Sequence, residues 1–175
     1  MRGGEKKVLV LGVGNVLLSD EGLGVKALEF LKRDYAIPRS VSLVDGGTGG
    51  LALLSVITGH DSLIIMDAVR SGSAPGTVVR LAGADRVRSG GYMASSLHEL
   101  GMEELLQASA LEGCNPEIVI IGMEPEDTSA GLELSPRVRR GLPLMAGMVA
   151  EELRRLGVEV KRRCIEDEDN GQEKG

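Results

Sequence analysis

The segment Leu11–Gly24 holds the residues of this chain that are best placed to do chemistry. An apolar run, Val8–Val13, is typical of a buried strand and is followed directly by Gly14. An acidic pair, Asp20 and Glu21, then lies between two clusters of glycine. A strand that runs into a glycine-rich loop is how an α/β protein places charge at the C-terminal edge of its sheet. The segment therefore predicts a binding or catalytic site at that edge.

Two further predicted strands lead directly into acidic residues, Asp45 and Asp67. Because parallel strands end at the same edge of a sheet, these carboxylates and Glu21 are expected to converge. His98 lies before or within the first turn of a predicted helix, a position that can face the same edge. Two carboxylates and an imidazole form a suitable ligand set for a divalent transition metal, with positions left open for water or substrate.

Each of these residues also has an ordinary structural explanation. Acids are favoured near a helix N-terminus, which would explain Glu21. Aspartate after a strand often caps a turn, which would explain Asp45 and Asp67, and His98 would then be a surface histidine. The presence of acidic residues at the ends of several strands at once nevertheless favours a functional site. His60 has no such context, since it lies between a short helix and a strand, and it is predicted to be structural or solvated.

Two other kinds of site are disfavoured. The segment Gly12–Asn15 resembles the start of a dinucleotide-binding loop, but the third glycine of that fingerprint would fall at Leu17. Acids directly before the helix would also repel a pyrophosphate. No G-x-S-x-G nucleophile segment is present, and Cys114 has no histidine near it in the sequence. Neither nucleotide binding nor covalent catalysis is therefore expected.

The composition predicts one soluble globular domain. The chain has 175 residues, 42% of them hydrophobic and 26% charged, and its net charge of −6 argues against a nucleic-acid partner. No apolar run is long enough to span a bilayer, and no signal peptide is recognised before the first strand. Cys114 and Cys164 lack metal-ligand spacing, and a disulfide between them is not expected. A cytoplasmic monomer is the prediction.

Strands and helices alternate along the chain, which predicts a three-layer α/β/α domain with a twisted, mostly parallel five-stranded sheet. One strand, preceded by Pro75-Gly76, is expected to lie antiparallel at an edge. Residues 1–160 are predicted to form this domain, and residues 161–175 a charged, disordered tail. The predicted strands are Val8–Val13, Val41–Val44, Ser62–Met66, Thr77–Leu81 and Glu117–Met123. The predicted helices cover Gly22–Arg33, Leu51–Ile57, a segment from Ser96 or Gly101 to Ala110, and Pro136–Leu156, the last with Ser135 as its N-cap.

The order of the motifs resembles that of the hydrogenase maturation endopeptidases, which trim the C-terminal tail of the large subunit of nickel–iron hydrogenases. The first loop has the pattern GxGNxLxxDEGxG of that family. Asp45–Gly50 is similar to the family's DGGT segment, and Leu63–Ala68 to its apolar strand ending in Asp-Ala. Three later segments resemble its serine–histidine–glycine, G-x-x-P and LSPxV stretches, namely Ser96–Gly101, Ile121–Pro125 and Leu134–Val138.

The resemblance extends over residues 7–157 and implies a twisted mixed sheet with helices on both faces. It implies that Glu21, Asp67 and His98 are metal ligands and that Asp45 is important for activity. The metal it implies is nickel that is already inserted in the large-subunit precursor, so the enzyme would hold no permanent catalytic metal. Another divalent cation is expected to occupy the site in vitro. The activity implied is an aspartic-type or metal-dependent endopeptidase, with either the metal or Asp45 as the group that activates water.

Two alternatives from other classes stay open at this point. One is a metalloenzyme with a resident zinc ion that hydrolyses another substrate. The other is a checkpoint protein that binds the nickel-loaded precursor without cutting it. Retention of zinc through purification would favour the first, and binding without a change in precursor mass would favour the second.

Overall fold

The computed structural model describes residues 6–82, 93–94 and 98–163, without the side chains of residues 93, 94 and 98–103. The strands are β1 (Val8–Val13), β2 (Tyr35–Ala36), β3 (Val41–Gly47), β4 (Ser62–Arg70), β5 (Val78–Ala82), β6 (Met93–Ala94), β7 (Glu117–Met123) and β8 (Lys161–Arg162). The α-helices are α1 (Leu23–Asp34), α2 (Leu54–Ile57), α3 (His98–Leu111) and α4 (Pro136–Arg155), and 3-10 turns cover Ser19–Gly22 and Gly50–Leu53.

The central sheet confirms the predicted architecture. Five strands lie in the order β3-β1-β4-β7-β5, and the two-residue β6 pairs with the end of β4 outside this path. β3, β1, β4 and β7 are parallel to one another, whereas β5 runs antiparallel to β7 at the edge. The parallel strands therefore bring their C-terminal ends to one edge, as a doubly wound sheet requires.

Aliphatic side chains cover both faces of the sheet. On one face, alternate residues of β1 and β4 pack with α1 and α4, as Val10, Met66 and Leu28 illustrate. On the other face, the intervening residues, such as Leu11 and Ile65, pack with α2 and α3. Because successive side chains of a strand point to opposite faces, parallel strands buried on both sides form nearly continuous apolar runs. This explains why β1 and β4 are buried along their length.

Two strands extend beyond their predicted ends. β3 ends at Gly47 and β4 at Arg70, whereas the apolar runs end at Val44 and Met66. Pairing with neighbouring strands continues past those runs, since Gly12 of β1 is opposite the acid that follows Val44. The strand ends are therefore set by the pairing partners and not by hydropathy, and both aspartates lie within strands.

A small second sheet closes the described part of the chain. β2 and β8 pair antiparallel, and the Arg163 N–H donates to the Asp34 carbonyl at 2.7 Å. The described chain thus continues three residues past the predicted boundary at residue 160, and the division into domain and tail stays a prediction. Residues 164–175, including Cys164, lie outside the described residues. In the part that is described, no helix combines the length and apolar composition needed to cross a membrane.

Candidate functional site

The loop after β1 turns back on itself at the C-terminal edge of the sheet. Gly14 has φ 138°, a conformation that favours glycine, and its N–H donates to the Gly47 carbonyl at 2.9 Å. A Cβ at Gly14 would overlap the Glu21 carbonyl group. The first loop is therefore fastened to the end of β3 and folded tightly under the 3-10 turn Ser19–Gly22, which carries both acids of the pair.

Asp20 holds this turn in place. Its side chain is completely buried, and its Oδ2 accepts from the backbone N–H groups of Glu126 and Asp127, both at 2.9 Å. Its Oδ1 accepts from the Ser135 N–H at 2.7 Å. Charge-assisted bonds of this kind are among the stronger hydrogen bonds in proteins. Asp20 therefore joins the turn to the loop between β7 and α4, and its role is structural.

Asparagine at position 20 is expected to lower the free energy of unfolding by about 2 kcal/mol. An amide has one oxygen where the carboxylate has two. Its NH₂ group must therefore face either the Ser135 N–H or the N–H groups of Glu126 and Asp127, which then lose their acceptor. A buried backbone donor without a partner costs about 1–3 kcal/mol. Urea denaturation of Asp20→Asn measures the loss. Asp127→Asn is the matched control, because that side chain is exposed and its hydrogen bonds are local, to the nearby Ser129. Equal stability of the two variants would contradict the structural role of Asp20.

Glu21, in contrast, is buried without full compensation. Only 7% of the residue is exposed, and its Oε2 has no hydrogen-bond partner among the described residues. Burial raises the pKa of Glu21, and the nearby charge of Arg70 lowers it in part. An unsatisfied buried carboxylate oxygen is costly, and such groups point to a missing ligand or to a catalytic role. The turn lies against β4, which carries the next candidate residue.

The two aspartates lie at similar heights in the sheet but in different surroundings. Asp67 is 5% exposed and accepts from the Ala68 N–H at 2.7 Å. It occupies the same strand alternation as Ile65, on the α2–α3 face. Asp45 is exposed and accepts from the Gly47 N–H at 2.9 Å. Because β1 lies between β3 and β4, the backbones at the two aspartates are separated by two strand spacings, about 10 Å.

His98 begins α3, as the prediction of a position at the start of a helix requires. β6 pairs with the end of β4, with Ala94 opposite Val69. The chain therefore lies beside β4 two residues beyond Asp67, and α3 begins four residues after Ala94. α3 then packs over the 3-10 turn Gly50–Leu53 on the α2–α3 face. The His98 side chain lies outside the described residues.

The structure thus brings the turn that carries Glu21 and the strand that carries Asp67 together, and it begins α3 at His98 shortly after a strand paired with β4. The Glu21 turn packs on β4, Asp67 is within β4, and His98 begins the helix that follows a strand paired with β4. Asp45 stands apart at the end of β3. In residues 6–82 and 104–163, no three His, Cys, Asp or Glu side chains form a group that could hold a metal ion. Since His98 was outside that part of the chain, the ligand set stays a prediction.

Two charged residues at this edge were not predicted as site residues from the sequence. Arg70 ends β4, and its Nη2 donates to Thr128 Oγ1 at 3.4 Å. Glu124 follows β7, and its Oε2 accepts from the N–H and hydroxyl of Ser71 at 2.6 and 2.9 Å. Burial raises the pKa of Glu124, but these bonds outweigh it and hold the pKa below its ordinary value. Glu124 therefore fixes the loop that follows Arg70 at the end of β4.

The remaining candidate groups lie elsewhere. The Nε2 of His60 is 3.0 Å from Ser42 Oγ, at the N-terminal edge of the sheet, which fits its predicted structural role. A cavity of about 490 Å³ lies between α1, α4 and residues 132–134, and none of the candidate site residues lines it. The candidate site residues therefore do not coincide with that cavity.

Comparison with known proteins places this arrangement in a family. The family model described as "Hydrogenase maturation protease" matches residues 25–152. The Escherichia coli hydrogenase 2 maturation protease is 37% identical over 164 residues, which cover 92% of this chain and 99% of that protein. The hydrogenase expression/formation protein HupD of Bradyrhizobium diazoefficiens is 38% identical over 161 residues, which cover 91% of this chain and 84% of that one. The solved structure of the hydrogenase maturating endopeptidase HybD from E. coli has a TM-score of 0.84 and 37% identity, covering 90% of this chain and 98% of that chain.

Proposed function

The chain belongs to the hydrogenase maturation protease family, and on that premise we propose that it removes the C-terminal peptide of a nickel–iron hydrogenase large-subunit precursor after nickel insertion. The observation that carries this proposal is the match with the E. coli hydrogenase 2 maturation protease, which extends over 92% of this chain. Such a hydrolase must bind the peptide that it cuts, and it must select the precursor that already carries nickel. The acidic edge of the sheet supplies candidate residues for both tasks.

In this proposal Glu21, Asp67 and His98 supply ligands to nickel that the precursor already carries. The nickel is then part of the substrate. Carboxylate and imidazole groups suit a divalent transition metal, and the Glu21 Oε2, which has no hydrogen-bond partner among the described residues, can serve as a ligand atom. The burial of Glu21 and Asp67 also strengthens electrostatic interactions there. A precursor without nickel would find an uncompensated acidic site.

Peptide hydrolysis adds water to the scissile carbonyl carbon, breaks the C–N bond and delivers a proton to the departing amine. We assign Asp45 a role on the substrate peptide, because it is exposed and its backbone lies two strand spacings, about 10 Å, from that of Asp67. It could take the proton from the attacking water, or the substrate's metal could polarise the carbonyl group. Because Asp45 and Asp67 are separated, we assign them different roles. Asp67 binds the metal, and Asp45 faces the peptide.

Asp67→Asn and Asp45→Asn are expected to lower the rate of precursor cleavage by about 10²-fold or more, for different reasons. Loss of a metal ligand should raise KM, whereas loss of a base should lower kcat with little effect on binding. Gel and mass analysis of a nickel-loaded precursor separates the two. Asp61→Asn is the control, since this carboxylate accepts from the Lys7 N–H at the opposite edge of the sheet. A normal rate for Asp67→Asn would remove it from the ligand set.

A further inference from the structure

Arg70 is a cation at the acidic edge that the proposed mechanism does not use. It is the last residue of β4, three positions beyond Asp67, and its side chain is exposed. Its Nη2 donates to Thr128 Oγ1 at 3.4 Å, which orients the guanidinium toward the loop after β7. The same edge of the sheet carries two buried carboxylates, Glu21 and Asp67. A cation at this edge opposes the binding of any other cation.

The loop that contacts Arg70 is fastened to the turn that carries Glu21. The residue before Thr128, Asp127, accepts from the Asp20 N–H and donates its own N–H to Asp20 Oδ2, both at 2.9 Å. Arg70, the loop and the turn therefore form one connected unit. The turn that carries Glu21 also packs against β4, the strand that ends at Arg70, so both residues lie at the same edge of the sheet.

Arg70 does not neutralise Glu21 by direct pairing. Among the described residues, the ion pairs formed within 4.0 Å include none between Glu21 and Arg70, and the Glu21 Oε2 has no hydrogen-bond partner. The guanidinium is thus held at the same edge as Glu21 by the loop after β7, and it leaves the Glu21 Oε2 without a partner. A cation in this position changes the affinity of the site without blocking it.

We propose that Arg70 is a specificity-determining residue, which weakens the binding of free divalent cations so that the site accepts a metal mainly when a protein substrate presents it. This inference rests on the proposed function. An aquated divalent ion brings its full charge toward Arg70 and is repelled. A metal held by anionic protein ligands has a smaller net charge and is repelled less. Arg70 therefore favours the nickel-loaded precursor over free nickel by charge alone.

Titration of the full chain with NiCl₂ by calorimetry tests this directly. We expect Arg70→Met to bind Ni²⁺ about tenfold more tightly than the wild type at low ionic strength, which corresponds to the removal of a repulsion of about 1.4 kcal/mol. The difference should shrink as salt is added, because salt screens charges near the surface. Arg70→Lys keeps the charge and should retain the wild-type affinity.

Arg39→Met is the matched control, since Arg39 is exposed and precedes β3, at the opposite edge of the sheet. Its affinity for Ni²⁺ should equal that of the wild type. Equal affinities for Arg70→Met and the wild type would overturn the proposal, as would an equal gain in Arg39→Met or the absence of Ni²⁺ binding in every variant. These outcomes do not depend on cleavage, so they are distinguishable from a failure of the proposed protease function.

A competition assay gives a second readout. Free Ni²⁺ added to a cleavage reaction should inhibit Arg70→Met at about tenfold lower concentration than the wild type, if the variant has the expected gain in affinity. Inhibition of both proteins at the same concentration would contradict the role assigned to Arg70. Because Arg70 is exposed, thermal unfolding of Arg70→Met should match the wild type and so verify that the fold is intact.

Discussion

Glutamine in place of Glu21 is expected to stabilise the folded protein at neutral pH and to lower the rate of precursor processing by about 10²-fold or more. The two effects have one cause. Glu21 is 7% exposed and its Oε2 has no partner among the described residues. A neutral amide removes the cost of burying the charge, which we expect to raise the free energy of unfolding by about 1 kcal/mol. It also removes the anionic donor that the substrate's nickel would need.

The pH dependence of stability distinguishes this explanation from a general packing effect. The folded-state pKa of Glu21 is raised above its ordinary value of 4.5, first by burial, with Arg70 opposing. The contribution of the protonated group to stability is thus fully present below pH 4.5 and is lost as the pH rises through the folded-state pKa. The difference in the free energy of unfolding between Glu21→Gln and the wild type should therefore be small at low pH and grow as the pH rises.

Urea denaturation at a series of pH values measures that advantage, with Glu112→Gln as the control. Glu112 is exposed at the end of α3, so its replacement should give no comparable trend. An advantage of Glu21→Gln that stays constant with pH would show that burial of the charge is not its cause. A stable Glu21→Gln variant that still processes nickel-loaded precursor at the normal rate would remove Glu21 from the proposed ligand set.

Alanine in place of Gly24 is expected to destabilise the protein by about 3 kcal/mol and to abolish processing. Gly24 lies in the first turn of α1, where the helix packs directly on β1 and β4. A Cβ there would overlap the carbonyl oxygens of Val13 and Met66, which are backbone atoms and cannot turn away. Relief requires a shift of α1 from the sheet, and overpacking of this kind typically costs 1–3 kcal/mol or more. The shift would also displace the adjoining turn that carries Glu21.

Gly147→Ala is the matched control for this substitution. Gly147 lies in α4, and a Cβ there would be 3.6 Å from the Tyr35 hydroxyl, an ordinary contact. Since alanine is the better helix former, this variant should be about 0.5–1 kcal/mol more stable than the wild type. Thermal and urea unfolding compare the two variants. A Gly24→Ala protein with wild-type stability would contradict the close packing of α1 on the sheet.

The sequence was sufficient for elements that are defined by local signals. β1 and β7 have their predicted limits, because charged residues or glycines bound their apolar runs. The Ser135 cap is confirmed, with its Oγ accepting from the Val138 N–H at 3.5 Å. The antiparallel edge strand is confirmed as well, since Pro75-Gly76 marks the reversal before it. Each of these features depends on a few adjacent residues.

Features that depend on distant partners were not predictable in this way. The two-residue strands β2, β6 and β8 form only because remote segments lie beside them. The continuation of β3 and β4 past their apolar runs has the same origin.

The same limit applies to the candidate site. The acidic pair was recognised, but adjacent carboxylates look alike in sequence, and only the fold separates them. Asp20 accepts from backbone groups 106 to 115 residues away, whereas Glu21 keeps an unpartnered oxygen. The proximity of Arg70 to Glu21 depends on the loop after β7 and has no local signal. Residue type thus indicated which residues were candidates, and long-range contacts distinguish the hydrogen-bonded Asp20 from Glu21.

The most direct test of the central claim is the intact mass of a hydrogenase large-subunit precursor incubated with this protein, in nickel-loaded and nickel-free forms. The proposed mechanism predicts that only the nickel-loaded precursor loses a C-terminal peptide. Cleavage of both forms at similar rates would contradict recognition of the substrate's nickel. Binding of the nickel-loaded precursor without any change in its mass would contradict the proposed cleavage and favour a checkpoint role.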